Sequence, residues 1–418
     1  MKKIAIIGGG VNFGINSVTQ PFFALYAAQL GASTAAIGVL LTLRAVLPLF
    51  IAMPAGQLID RLGAAYMLRM GNLITAIALA MMAFSTNLTL LTVAQVIIGG
   101  GTMIVTSALQ VIVSEGGKEE RERDITRYSA WSSGGSMIGP LIGGAIVTAV
   151  SSTGWLRWNG EAISGYRATF FICFVTAAIF GACFYAVSRK FTIQSQLGAE
   201  VKEVLRPREI AGSYLQGIHL LKHPGVQFGL VGTFLIHFIQ SIWQGFFPLY
   251  LDTLGYSALV ISVLVSIRGL AGMTSRLFMA QLTRRWSHQA LLIGAGCIAA
   301  ISLIALPLMN WNIVTIAIVA FVLGSSVGVN MPVSTMIMVD EDSMGERGKI
   351  MGLRLLVNRS AQIAAPALFG VFGQMLGLAS SFFAGGGLLL ASILGFGLYR
   401  KTRFRQVTTT MNHVEVEK

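Results

Sequence analysis

Negative charge is what this chain has least of. Its 418 residues hold 17 Asp and Glu against 30 Lys and Arg, and none of the 17 falls in the middle of an apolar run. A cavity built for lipophilic cations would bury a carboxylate, and none is available at depth. Enzymatic work inside a membrane would need clustered His, Cys, Asp or Glu there, and those clusters are missing too. The three cysteines, Cys173, Cys183 and Cys297, are odd in number and dispersed in apolar runs, which indicates neither a disulfide framework nor a metal site. Charge of either sign makes up only 11% of the chain, against about 25% in a soluble domain.

Apolar side chains take up the difference. They form 54% of the sequence, and the mean hydropathy is +0.72, more than the core of a soluble protein of this length absorbs. Runs of about 20 apolar residues, the length that crosses a bilayer as helix, recur from Ile4 to Tyr399. In lipid only helices or closed barrels satisfy the backbone, and unbroken runs exclude the alternation of a barrel strand. The fold class is therefore all-α, a polytopic membrane protein of about 12 transmembrane helices. The net charge of +13 forms no patch for nucleic acid. Most basic residues sort into the termini and alternate connectors, including Arg61, Arg69, Lys118 to Arg127 and Arg189 to Lys222. By the positive-inside rule those connectors and both termini are cytoplasmic.

The first segment carries two decoys. Lys2-Lys3 before an apolar stretch suggests a signal peptide, and IAIIGGGVNFG suggests a dinucleotide fingerprint. The third glycine of that fingerprint would fall at Phe13, and the first acidic residue is the distant Asp60. The signal-peptide reading fails because the segment recurs. A shift of 224 places QPFFALYAAQLGAS (Gln20 to Ser33) on QGFFPLYLDTLGYS (Gln244 to Ser257), and identities continue at Ile37/Ile261, Arg44/Arg268, Gln57/Gln281 and Arg61/Arg285. At a shift of 226, Glu120-Arg121, Pro140 and Gly144 fall on Glu346-Arg347, Pro366 and Gly370. Two homologous six-helix bundles follow, residues 1–187 and 224–405, with a cytoplasmic connector over 188–223 and a polar tail over 406–418. Within the connector, IAGSYLQGIHLLKH has apolar residues at helical spacing and reads as a segment lying on the membrane surface. Parallel repeats of this kind build alternating-access carriers with a central site between the halves.

The end of span 2 reads Gly56-Gln57-Leu58-Ile59-Asp60-Arg61-Leu62-Gly63, which resembles the signature loop of the major facilitator superfamily. The resemblance assigns conformational roles to Gly56, Asp60, Arg61 and Gly63, with Arg354 of span 11 as the partner of Asp60. The family's two basic residues after the last glycine are replaced by Ala64 and Ala65. In span 5, Gly139-Pro140 and Gly143-Gly144 are similar to the antiporter motif of the drug/proton branch, although Thr126 stands where that pattern has a further glycine. Span 4 departs further: Gln95 occupies the place of an arginine linked to proton coupling in that branch.

The embedded ionisable groups are Arg44, Arg268, Arg276, Arg354, Arg359 and His237. Arg44 lies 11 residues past Ser33, roughly 16 Å below the outer end at 1.5 Å per residue. A charge near the midplane is costly unless it faces a cavity or a partner. Arg44 and its repeat-mate Arg268 are expected to oppose each other across a central cavity, like the paired arginines of nitrate and organophosphate porters in this superfamily. The alternative is that each pins its own half. Asn12, Asn16 and Gln20, at i, i+4 and i+8 on span 1, with Gln240 and Gln244 repeating the last two positions on span 7, form a polar stripe expected to line the same cavity, joined by Arg359. Thr102, Thr106 and Gln110 on span 4, and Ser326, Asn330 and Ser334 on span 10, extend it. His237 is the candidate for carrying a coupling proton. Arg276 and Arg354 sit near the cytoplasmic ends, where snorkelling or a latch suits them.

The expectation is a monomeric secondary transporter in the bilayer of a bacterial inner membrane. It moves a small organic anion or zwitterion by rocking its halves, without cofactor or metal, coupled to protons or a counter-solute. The rival is a multidrug/proton antiporter exporting amphipathic compounds. A protein-binding scaffold would not need a polar midplane stripe.

Overall fold

The computed structural model describes residues 1–153, 157–158, 161–162, 164–189, 221, 223–309, 311–340 and 347–416. Six long helices form the first half: α1 (Lys2–Gln29), α2 (Thr34–Leu62), α3 (Ala64–Phe84), α4 (Leu88–Ser114), α5 (Lys118–Thr153) and α6 (Gly165–Ser188). Six more form the second: α7 (Pro224–Thr253), α8 (Ala258–Leu277), α9 (His288–Leu308), α10 (Ile313–Asp340), α11 (Arg347–Leu376) and α12 (Leu378–Val416). A seven-residue helix, Met279–Arg285, follows α8, and Arg157–Trp158 pairs antiparallel with Glu161–Ala162 between α5 and α6. Most of the proposed connector, including its apolar surface segment, lies outside the described residues. The polar tail over 406–418 is helical as far as Val416, as the end of α12.

Eleven of the twelve helices are long and apolar enough to cross a membrane by length and composition, and α1 is the exception. The reason is local. Asn12, Asn16, Ser17, Thr19 and Gln20 dilute the hydropathy of α1, and α1 can afford them because it packs inside the bundle against α4, α5, α6 and α7. The polar stripe that lowers its hydropathy is what marks it as an interior helix.

The repeat is visible as turn chemistry. Gly31 (φ +84°) and Gly255 (φ +82°) close α1 and α7 in the left-handed region that glycine alone enters without strain. Two residues on, the Ser33 and Ser257 hydroxyls accept from the backbone N–H groups of Ala36 (3.2 Å) and Val260 (3.5 Å), capping α2 and α8 alike. Gly63 (φ +87°) plays the corresponding turn role between α2 and α3.

The halves meet along α2–α11, α8–α5 and α1–α7. At the Ser33 end the first two seams are backbone-close: a Cβ at Gly38 would lie 2.8 Å from the Gly370 Cα, and one at Gly144 would lie 2.6 Å from the Ser262 Cβ. Positions 38 and 262, and 144 and 370, are repeat-mates, so one packing solution is used twice. Nearer the Met1 end, a Cβ at Gly56 or Gly134 would meet nothing within 4 Å. Among the described residues Gly56 therefore makes no close helix contact in this conformation. Between the seams a buried cluster of Phe22, Phe23, Trp243, Phe246, Phe247 and Phe369 fills the Ser33 half.

Candidate functional site

Arg44 sits on α2 with only 8% of its surface exposed. Its carbonyl is brought against Gly99 of α4, where any side chain would collide with it. Arg268 repeats this on α8, its carbonyl against Gly324 of α10. The two backbones are thus held identically, while the two guanidinium groups are not. Arg44 Nη2 donates to Asn16 Oδ1 at 2.6 Å and to Thr19 Oγ1 at 3.4 Å, and its Nη1 is buried with no hydrogen-bond partner. Asn16 is itself anchored, donating to the Asn12 carbonyl at 2.8 Å. Arg268 instead lies with its Cζ 5.9 Å from the centroid of Trp243, a cation–π distance. Trp243 is the repeat-mate of Thr19, so an aromatic face replaces a hydroxyl at the equivalent point. It is wholly buried and stacked on Phe247, with centroids 3.7 Å apart, and neither its Nε1 nor the Arg268 Nε has a hydrogen-bond partner.

On α11, Arg359 donates to Gln362 Oε1 at 2.8 Å, and Gln362 in turn bonds to Asn358 Oδ1. Arg359 interacts electrostatically with Arg44, whereas Arg268 interacts with Arg276 on its own helix. His237, 6% exposed, holds the Thr233 carbonyl through Nδ1 at 2.8 Å and lies in the field of Arg354 and Arg359. Gln20, Gln240 and Gln244 are half-buried, and the Gln20 Oε1 has no hydrogen-bond partner.

Other polar positions are spent on helix packing. Asn12 donates to Thr106 Oγ1 at 2.8 Å, tying α1 to α4. Asn330, with its amide oriented to suit, donates to the Leu292 carbonyl and accepts from the Gly296 N–H, each at 3.1 Å. It borders a small apolar void with Phe228, Leu292 and Ile393, so it braces α10 on α9 instead of extending the central stripe. Arg354 donates to the Met331 carbonyl at 3.4 Å, and Asp60 and Arg61 are exposed. Gly139, Pro140, Gly143 and Gly144 form the seam of α5: Gly139 lies on Gly14 of α1, Gly143 on Phe22 and Gly144 on Ser262. Gln95 is fully buried, with neither amide atom hydrogen-bonded.

Sequence reasoning missed Thr19, Trp243 and Gln362. Positions 19 and 243 are paired by the same 224-residue shift that pairs the arginines, so the repeat could have pointed to them. Gln362 is one turn beyond Asn358 and carried no separate signal.

A family model described as Major Facilitator Superfamily matches residues 5–366. Among curated proteins the chain is similar to Multidrug resistance protein MdtG of Citrobacter koseri, 23% identical over 386 residues that span 90% of this chain and 88% of that one. The protein of the same name from Escherichia coli K12 is 22% identical over 407 residues, 94% and 92% of the two chains. Among solved structures, a bacterial homolog of the human lysosomal transporter Spinster, inward-facing and occupied, matches with a TM-score of 0.75 at 16% identity over 96% of both chains. The nucleoside transporter NupG matches with a TM-score of 0.74 at 14% identity, over 95% of this chain and 99% of that one.

Proposed function

We propose, from the premise that the chain belongs to the Major Facilitator Superfamily, that this transporter carries a small organic anion or zwitterion through the site built around Arg44. It is an integral membrane transporter and not an enzyme, and its two six-helix halves are those of an alternating-access carrier. The observation that carries the substrate class is the Arg44 guanidinium: 8% exposed, near mid-span, with one nitrogen unpartnered, in a chain with no acidic residue in mid-span. A buried cation without a counter-ion is poised for an anionic ligand, and planar guanidinium donors suit carboxylate and phosphoryl oxygens. Asn16 aims the group, and Gln20, Gln240 and Gln244 orient the rest of the solute. Arg354 and Asp60 are assigned to conformational change, forming their contact when the halves reorient. The carrier acts as a monomer in a bacterial inner membrane with both termini cytoplasmic, which makes the Ser33 end the outer one.

A second reading, export of amphipathic drugs, is favoured by similarity to relatives named Multidrug resistance protein MdtG and by the α5 seam of Gly139, Pro140, Gly143 and Gly144. A thermal-shift screen separates the two, because a ligand of the folded state raises its stability by mass action. Purified wild type and Arg44→Gln are melted with organic anions, zwitterions and lipophilic cations. Anions that stabilise wild type and not the variant support the arginine site. Cations or neutral drugs stabilising both proteins equally put the drug reading in its place.

A further inference from the structure

Resting on the anion reading, we infer that the solute's oxyanion docks asymmetrically, between Arg44 of α2 and Arg359 of α11 across one seam, and not between the repeat-mates Arg44 and Arg268. The register of the α2–α11 seam fixes this. Thr34 lies against Gly373, Gly38 against Pro366 and Gly370, and Thr42 Oγ1 donates to the Ile363 carbonyl at 3.2 Å. The helices run antiparallel, so one further turn along α11 brings position 359 level with the residues just after Thr42, which include Arg44. Two guanidinium groups thus arrive at one depth from opposite halves. The Arg359 fork is aimed by Gln362, and Arg44 keeps an unspent Nη1.

The mirror seam lacks this pair. On α8–α5, a Cβ at Gly269 would lie 3.8 Å from the Met137 Cα, and Gly144 lies against Ser262 and Ala258 as its mate Gly370 lies against Gly38 and Thr34. By the 226-residue shift, the position equivalent to Arg359 is Ser133. Arg268 therefore meets no cation from the opposite half, and its guanidinium rests over Trp243. At this depth one seam brings two cations from opposite halves, Arg44 and Arg359, and the other brings Arg268 beside an indole. An oxyanion bridging Arg44 and Arg359 neutralises repulsion across the seam that joins the halves, so binding also favours the closed α2–α11 seam.

The test melts wild type, Arg359→Gln, Arg359→Lys and Arg268→Gln in sulfate or succinate against chloride at constant ionic strength. Wild type is expected to be stabilised by both oxyanions. The half-saturating concentration is expected to rise about tenfold in Arg359→Gln, the loss of one charge-assisted contact, to recover partly in Arg359→Lys, and to stay within about twofold of wild type in Arg268→Gln. Arg359→Lys keeps the test decisive if the glutamine variant folds poorly. Loss of the response in Arg268→Gln with Arg359→Gln unchanged overturns the asymmetric site while leaving the anion reading standing. No oxyanion response in wild type overturns both.

Discussion

Adjacent glycines on α5 are predicted to answer the same substitution in opposite directions. A Cβ at Gly135 would meet the Gly10 carbonyl oxygen, with the Gly10 carbonyl carbon at 2.8 Å and its Cα at 3.0 Å. All three atoms are backbone, so α1 and α5 must separate for any side chain to fit. Overpacking of this kind costs about 3 kcal/mol at the severe end, and alanine's better helix propensity returns about 1 kcal/mol, so Gly135→Ala is expected to lose about 2 kcal/mol net. At Gly134 a Cβ would meet nothing within 4 Å, so Gly134→Ala keeps only the propensity gain of about 1 kcal/mol. The pair should therefore differ by roughly 3 kcal/mol, or about 3–6 °C in Tm for a chain of this size. Thermal unfolding in detergent, followed by tryptophan fluorescence on monodisperse protein, measures it. Equal shifts, or a more stable Gly135→Ala, would refute the claim that backbone contact holds α1 on α5.

The repeat makes a matched prediction: Gly99→Ala and Gly324→Ala push on the Arg44 and Arg268 carbonyls in the same way, so each should impair transport, and a silent member of the pair would show that the symmetry is not functional. Asn72→Ala removes the donor at 2.9 Å from the buried Ala177 carbonyl and should cost about 1–2 kcal/mol by differential scanning calorimetry. Lys2→Ala breaks a 2.9 Å pair with Glu120, whose side chain is 47% exposed, and should change stability by less than about 1 kcal/mol, less still in high salt. His237→Asn should leave the pH profile of transport unaltered if coupling is by counter-solute, whereas loss of the pH dependence would assign the proton to His237.

The architecture was legible because two signals are written along the chain. Apolar runs gave the helices, and the shift of 224 that aligned Gln20 with Gln244 also aligned the Gly31/Gly255 turns and the Ser33/Ser257 caps. Arg44 was legible because a charge that deep needs a reason. What it faces was not. Symmetry pairs it with Arg268, while the pairing with Arg359 proposed above depends on the level at which α2 meets α11, set by glycine contacts at 38 and 370 that the pattern of one helix cannot set against another. Asn330 shows the same limit: helical spacing put it in line with Ser326 and Ser334, yet its amide turns to the α9 backbone. The failure of α1 to register as a span is the converse case, because the polar residues that lower its hydropathy are those that mark it as central.

The central claim is that Arg44 serves an anionic solute. Its most direct test is flux in proteoliposomes of wild type and Arg44→Gln, driven by gradients of the organic anions found to bind and, separately, of tetraphenylphosphonium. Anion flux through wild type that falls at least about tenfold in Arg44→Gln, with no phosphonium flux through either, is the predicted result. Phosphonium transport that is indifferent to Arg44, without anion flux, would contradict it.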